Sequence, residues 1–238
     1  YSERLGMKDS HFENSTGLPG ADHRMTVADI ARLTRAIIRE FPDYYRWYSQ
    51  REFTWNNIRQ PNSNGLLRRD PSVDGVKTGM TEAAGYCLVS SAERDGMRLV
   101  AVVMGTSDMK AREDASLALL NYGFSFFETR VLQPAGKEMA VQRVYKARGG
   151  RAAIGVTSDF KVTLPRGQAD RVELKLELAP KVFAPLTVAD QVGVARGVQR
   201  LEGERAQQAL RGAFGKRLVL GQQPRGLERF LRLLAEPR

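Results

Sequence analysis

Two apolar, β-branched runs joined by an Asp-Gly pair constrain this chain most. Tyr86-Cys87-Leu88-Val89-Ser90-Ser91-Ala92 and Met97-Arg98-Leu99-Val100-Ala101-Val102-Val103-Met104 flank Asp95-Gly96. They read as an antiparallel hairpin, because Asp-Gly accepts the positive φ angles of a tight turn. Just before them, Val73-Asp74-Gly75-Val76-Lys77-Thr78-Gly79-Met80-Thr81 opens on an apolar/polar alternation and reads as a third strand. That strand delivers a cation, a hydroxyl and a bare backbone side by side. The set suits a carboxylate or acyl group lying along the strand: Lys77 supplies charge, Thr78 a hydroxyl donor, and Gly79 lets a ligand backbone come close.

A Lys-Thr-Gly tripeptide arises by chance in roughly one chain in twenty of this length, so its surroundings decide its meaning. Asn56-Asn57-Ile58-Arg59-Gln60, Asn62-Ser63-Asn64-Gly65-Leu66-Leu67, Val73–Gly79, Ala84-Gly85-Tyr86 and Gly123-Phe124-Ser125-Phe126-Phe127-Glu128 are the residues that carry more weight. Together they resemble the low-molecular-mass penicillin-binding proteins, the serine D-alanyl-D-alanine carboxypeptidases. A Lys-Thr-Gly strand is one of three landmarks in that group. The likeness runs from Tyr1 to about Leu220. It implies an α/β (α+β) penicillin-binding/β-lactamase-like transpeptidase domain, here partial, with an antiparallel sheet and helices, followed by a small all-β domain.

The rest of the sequence is consistent with that plan. Residues 1–25 are loop-like, and His11 is read as structural. Thr26-Val27-Ala28-Asp29 resembles a capping box. Val27, Ile30, Ala31, Thr34, Ile37, Ile38 and Phe41 then recur at helical spacing, so a helix is expected over about 27–41, ending before Pro42. Tyr44, Tyr45, Trp47 and Tyr48 read as packing around a short helix. Residues 51–70 read as one short strand and a loop. Residues 109 to about 122 read as a helix capped by Asp108 or Ser107, packing on the sheet through Ala115, Leu119 and Tyr122.

Near Arg130 the texture changes to short alternating segments at 139–144, 160–164, 172–178 and 191–194. Val172-Glu173-Leu174-Lys175-Leu176-Glu177-Leu178 is strict period-2 alternation, a half-buried strand. The expected organisation is therefore 1–130 as the C-terminal portion of the carboxypeptidase domain, 131–222 as a β-rich domain, and 223–238 as an amphipathic helix. In that last stretch Leu227, Phe230, Leu231 and Leu234 share one face.

Composition narrows the partners. The chain has 238 residues, a net charge of +10 and one cysteine, Cys87, so no internal disulfide can form. The basic residues are scattered and no nucleic-acid motif occurs, which argues against a nucleic-acid partner. The charge suits an anionic lipid or wall polymer. The chain opens at Tyr1 without an initiator Met, and no apolar run approaches the ~20 residues of a spanning helix. The expectation is the middle of a longer protein.

The resemblance implies a reaction: a serine attacks the penultimate carbonyl of a peptidoglycan stem peptide, an acyl-enzyme forms, and water releases it. β-Lactams acylate the same serine. No cofactor and no metal are implied. Carried onto this sequence, Lys77 supports proton transfer, Thr78 donates to the terminal carboxylate, and the Met80 N–H is one oxyanion-hole donor. Gly79 keeps the strand open. Arg112 matches the family's basic residue on the helix behind the strand and holds the carboxylate in a bidentate fork. Its bland reading is an ion pair with Glu113 or Asp114.

The family's Ser-x-x-Lys and Ser-x-Asn motifs precede the Lys-Thr-Gly strand. Here Ser-x-Asn is absent from the 238 residues, and the two Ser-x-x-Lys matches, Ser107–Lys110 and Ser158–Lys161, both follow the strand. Neither is read as the nucleophile. Met80 stands where some relatives carry His, and Ser63 where some carry a basic residue. The expected location is the periplasm, at the outer face of the inner membrane, with the C-terminal helix as a peripheral contact. Alternatives are a D,D-endopeptidase or weak β-lactamase, or a non-catalytic wall-binding fragment if the chain truly begins at Tyr1.

Overall fold

The computed structural model describes residues 1–147, 149–185, 191–199 and 214–221. The chain divides into two compact units, Tyr1–Phe126 and Phe127–Arg238.

In the first unit the elements follow in the order α1 (Ser2–Leu5), α2 (Val27–Glu40), α3 (Pro42–Tyr45), a 3-10 turn (Arg46–Ser49), β1 (Glu52–Trp55), β2 (Ile58–Pro61), α4 (Leu66–Arg69), β3 (Val73–Thr81), β4 (Gly85–Arg94), β5 (Met97–Thr106) and α5 (Met109–Phe126). The three long strands form one antiparallel sheet in the order β3-β4-β5. The hairpin expected from the two apolar runs is β4–β5. Asp95 and Gly96 both take positive φ, 50° and 73°, as a tight right-twisted turn requires.

Helix α2 starts where its sequence indicates. The Thr26 side chain accepts the Asp29 N–H at 3.2 Å, one half of a capping box. The Asp29 carboxylate does not reach back to close the box. It is fully buried and accepts the Asp9 N–H, the Ser10 hydroxyl and an Arg32 bond. Burial alone would raise its pKa, but these donors hold it below the ordinary carboxylate range. The apolar stripe read as core is only partly covered: Val27 and Phe41 are exposed, while Asp29, Thr34 and Ala36 are buried.

Two local readings need correction. Residues 51–70 hold a second hairpin, β1–β2, turned by Asn56 and Asn57 at φ 48° and 59°. Asparagine tolerates this left-handed conformation through local hydrogen bonding, so the Asn-Asn pair was a turn signal. Helix α5 runs to Phe126, and its buried face is Arg112, Ser116, Leu120 and Phe124, not Ala115, Leu119 and Tyr122. Leu119 and Tyr122 are exposed. Apolarity misleads here because the face that packs on the sheet opens with an arginine and a serine.

Tyr45 and Asp74 join the 3-10 region to β3. The Tyr45 hydroxyl donates to Asp74 at 2.8 Å, and Arg98 bonds both Asp74 and the Ser91 hydroxyl. Burial pushes the Tyr45 phenol up from its ordinary value. Tyr44 and Trp47 lie edge to face and remain exposed.

The described residues of the second unit form strands and one 3-10 turn (Ala169–Arg171): β6 (Phe127–Gln133), β7 (Glu138–Tyr145), β8 (Arg151–Gly155), β9 (Phe160–Pro165), β10 (Val172–Leu178), β11 (Val182–Phe183), β12 (Gln191–Gln199) and β13 (Phe214–Gly221). Six strands form one sheet, β10-β12-β13-β8-β7-β11, and β6 pairs with β9. Strand β10 alternates half-buried apolar with exposed charged residues, as its pattern dictates. Its core includes Val144, Ile154, Val156, Val182 and Ala195. Residues 222–238, where the amphipathic helix is expected, lie outside the described residues. No helix among the described residues is long and apolar enough to cross a membrane.

The approach to β3 rests on Asp70. Its carboxylate accepts the Ser72 N–H and hydroxyl at 2.9 and 2.6 Å and an Arg94 guanidinium at 2.5 Å. Burial would raise its pKa, yet Ser72 and Arg94 together hold it below the ordinary value. We expect Asp70→Asn to cost about 1–3 kcal/mol at neutral pH, the usual penalty for breaking a buried charged hydrogen-bond set. The stability contributed by a depressed carboxyl is complete above its unfolded pKa and lost as pH falls through the folded one. Denaturant unfolding of parent and variant should therefore show a constant gap down to about pH 5 that closes below about pH 4. A gap unchanged at about pH 3 would mean the carboxylate charge contributes nothing.

Candidate active site

Strand β3 lies at the edge of its sheet, so one side of its backbone has no strand partner among the described residues. Its first half is anchored: Val73, Gly75 and Val76 are buried. Its second half is open. Lys77, Gly79 and Met80 are exposed and Thr78 is half-buried. The Lys77 ammonium folds onto the Thr78 carbonyl at 2.7 Å.

Glycines 75 and 79 are bare for different reasons. A Cβ on Gly75 would meet the Tyr45 hydroxyl at 2.6 Å, so packing alone forbids a side chain there. A Cβ on Gly79 would meet nothing nearer than the Cys87 Cβ at 4.0 Å. Packing within the described residues therefore leaves free the space beside Gly79 that a ligand would use.

Arg112 reaches this strand from 33 residues further along the chain. It is 4% exposed, and its guanidinium donates to the carbonyls of Gly79 and Ser63, both at 3.4 Å. It also lies 5.7 Å from the centre of the Tyr86 ring. Both hydrogen bonds are at the long limit, and the Nε–H has no partner among the described residues. Among the described residues no carboxylate pairs with Arg112. Glu113 and Asp114, its bland candidates, bond Arg69 at 3.2 and 2.6 Å, and Asp114 also takes Lys110. A buried guanidinium held only by weak neutral contacts is poised for an anion.

The loop carrying Ser63 is fixed by its flanking asparagines. The Asn62 side chain accepts the Asn64 N–H at 2.9 Å and donates to the Gln50 carbonyl at 2.9 Å. Asn64 is 1% exposed; its amide donates to the Gly75 carbonyl at 2.9 Å, and its side-chain oxygen accepts the Leu66 N–H. Thus the loop, β3 and α5 converge on one point. In the sequence, the Asn-Ser-Asn triplet stands out only as part of a family likeness. The signal for its structural part was present: asparagines two residues apart close Asx turns. The Ser63 carbonyl and the Tyr86 ring carried no such signal.

The structure thus gathers Lys77, Thr78, Gly79, Met80 and Arg112 at one end of β3. It gives Ser107 and Lys110, the first of the rejected serine–lysine pairs, separate acidic partners. The Ser107 hydroxyl bonds Asp108, and the Lys110 ammonium bonds Asp114. Ser158 and Lys161 belong to the second unit. Asp108 caps α5 through the Ala111 N–H at 2.8 Å. No cluster of His, Cys, Asp and Glu suited to a metal occurs among the described residues.

A family model described as D-alanyl-D-alanine carboxypeptidase matches residues 1–108, and one described as penicillin-binding protein 5, C-terminal domain, matches residues 127–208. The chain belongs to the D-alanyl-D-alanine carboxypeptidase family of penicillin-binding proteins. It is 40% identical over 207 residues to the D-alanyl-D-alanine carboxypeptidase DacA of Haemophilus influenzae, which spans 86% of this chain and 52% of that protein. It is 41% identical over 195 residues to DacA of Escherichia coli, 81% of this chain and 48% of that protein. The crystal structure of penicillin-binding protein 5 from Haemophilus influenzae superposes with a TM-score of 0.73 at 35% identity, covering 92% of this chain and 62% of that one. The chain spans about half the length of the curated relatives it matches. The architecture is that of this family: antiparallel sheet with helices, then an all-β region.

Because Asn64 bonds β3 directly, Asn64→Ala should destabilise the protein by about 1–3 kcal/mol, leaving a buried carbonyl and N–H unpaired. Hydrogen exchange should show faster opening of β3. Unaltered exchange and stability would mean that the loop holds without this side chain.

Proposed function

We propose that the whole protein is a serine D-alanyl-D-alanine carboxypeptidase. It removes the terminal D-Ala from peptidoglycan stem pentapeptides through an acyl-enzyme and is acylated by β-lactams. The observation that carries this reading is the buried Arg112 guanidinium, without an acidic partner among the described residues, set against the exposed Lys77-Thr78-Gly79 strand end. A cation in that position suits a substrate ending in a free carboxylate beside the strand.

In this reading the substrate lies along the open edge of β3. Thr78 donates its hydroxyl to the terminal carboxylate, and Arg112 offers two N–H groups to the same anion. The serine and its lysine come from residues beyond these 238. The serine oxygen bonds the penultimate D-Ala carbonyl carbon, and the Met80 N–H stabilises the oxyanion. Collapse breaks the C–N bond, and the terminal D-Ala leaves as the amine after taking a proton. Lys77 supports that proton movement electrostatically. Water then attacks the acyl carbon and restores the serine. No cofactor is required.

Arg112 favours a carboxypeptidase over a D,D-endopeptidase, since it suits a substrate with a free terminal carboxylate; a weak β-lactamase would use the same cation, because β-lactams carry a carboxylate too. The protein's place in this proposal is the periplasm, peripheral to the outer face of the inner membrane. The net charge of +10 and the helical spacing of Leu227, Phe230, Leu231 and Leu234 in the sequence support it.

The test uses the full-length protein. Its intact mass should rise by one penicillin on incubation with benzylpenicillin, and it should release D-Ala from a pentapeptide. Arg112→Gln should lower kcat/KM for release by about ten- to hundredfold, the value of one charge-assisted contact set. Neither adduct nor release in the parent would overturn the proposal. Undiminished release by Arg112→Gln would remove Arg112 from the site.

A further inference from the structure

Three buried polar atoms lack a hydrogen-bond partner among the described residues: Arg112 Nε, Ser116 Oγ and Ser90 Oγ. They come from two elements but from one layer. Ser116 is four residues beyond Arg112 on α5, so both occupy the same face of the helix, and both are buried. Ser90 is on β4, whose facing can be read from its ends. Tyr86 packs against Arg112 at one end. Arg94 packs over the Phe124 ring, 4.3 Å away, and bonds Asn121 at the other. Tyr86 and Arg94 are both even-numbered, so the even residues of β4 face α5, and Ser90 lies midway between them. Ser91 points to the opposite face, where Arg98 bonds it at 2.8 Å. Ser90 and Ser116 therefore meet the same interlayer space, inward of the Arg112 guanidinium.

Serine is an unusual choice there. Ser90 and Ser116 are both fully buried, alongside Leu88, Leu120 and Ala92. An apolar residue would pack such a layer without the penalty of a desolvated hydroxyl. The two hydroxyls can each donate and accept while the N–H can only donate, so internal water in this layer can satisfy them. Ser116, one helical turn from Arg112, is the nearer support.

We infer that Ser116, with Ser90, is a positioning residue for Arg112, acting through an internal water that fixes the Nε edge of the guanidinium. The two Nη atoms meet the Gly79 and Ser63 carbonyls, which leaves the Nε–H to this water. With the Nε edge held, the fork has one orientation toward the strand. With it free, two bonds of 3.4 Å leave the planar group to swivel. The inference deepens the carboxypeptidase reading and rests on it for its kinetic consequence, though its structural part stands alone.

The test has two arms, both on the full-length protein. Kinetically, Ser116→Ala should raise KM for a D-Ala–D-Ala peptide about tenfold, the worth of one buried hydrogen bond to a charged group. It should leave turnover of a thioester analogue without the terminal carboxylate unchanged. Ser116→Thr, which keeps the hydroxyl, should restore much of the loss. An equal loss on both substrates, or none on either, overturns the inference. Structurally, a crystal structure of the parent at high resolution should show an ordered water within hydrogen-bond distance of Arg112 Nε and Ser116 Oγ, missing in Ser116→Ala. A dry, directly packed layer overturns it as well. If the parent hydrolyses no D-Ala–D-Ala substrate, the carboxypeptidase reading fails, while the water still decides the positioning role.

Discussion

A buried cation without a counter-ion among the described residues governs the first unit. Removing a guanidinium from water costs several kcal/mol unless its N–H groups find acceptors. Arg112 meets two backbone carbonyls, one on β3 and one in the loop before it, and a ring face on β4. The helix, the loop and both strands must therefore be placed correctly for the cation to be tolerated at all. The neighbouring acids are turned away toward Arg69 and Lys110. Had either of them reached Arg112, the cation would be neutralised and useless for binding.

The surrounding polar network serves the same end. Asn64 ties the Ser63 loop to Gly75. Asp74 joins Tyr45 and Arg98 beneath the strand, and Asp70 joins Ser72 to Arg94. Each of these contacts secures the first half of β3 or the residues leading into it. The second half, Lys77 to Met80, is exposed or half-buried. Rigidity is concentrated just ahead of the residues that would bind, which is how a strand edge can be both open and well placed.

How much of this was legible depends on which physics left a local trace. The β4–β5 hairpin was plain from Asp95-Gly96 and its β-branched flanks, and β10 from strict alternation, because both follow from short-range geometry. The Asn56-Asn57 turn left an equally local trace that went unread. Strands β6, β8, β11 and β13 were not singled out; Ala152-Ala153-Ile154 is short, and its burial comes from a sheet whose strands are far apart in sequence. The packing face of α5 was misread because the residues it buries first, Arg112 and Ser116, are polar. No periodicity of hydrophobic residues can reveal a buried face that opens on polar ones. Arg112 itself was reached only through family resemblance. Its contacts with Gly79 and Ser63 span 33 and 49 residues, and nothing local encodes them.

The low exposure of Arg112 separates two ranges of electrostatics in one molecule. The net charge of +10 acts over distances set by the ionic atmosphere, about 8 Å at physiological salt, and fades as salt is added. Attraction toward an anionic wall or bilayer belongs to that range. The proposed recognition of a carboxylate at a 4%-exposed guanidinium would take place where counter-ions hardly penetrate. Ionic strength should therefore tune how often an anionic surface is met far more than how firmly a carboxylate is held once there.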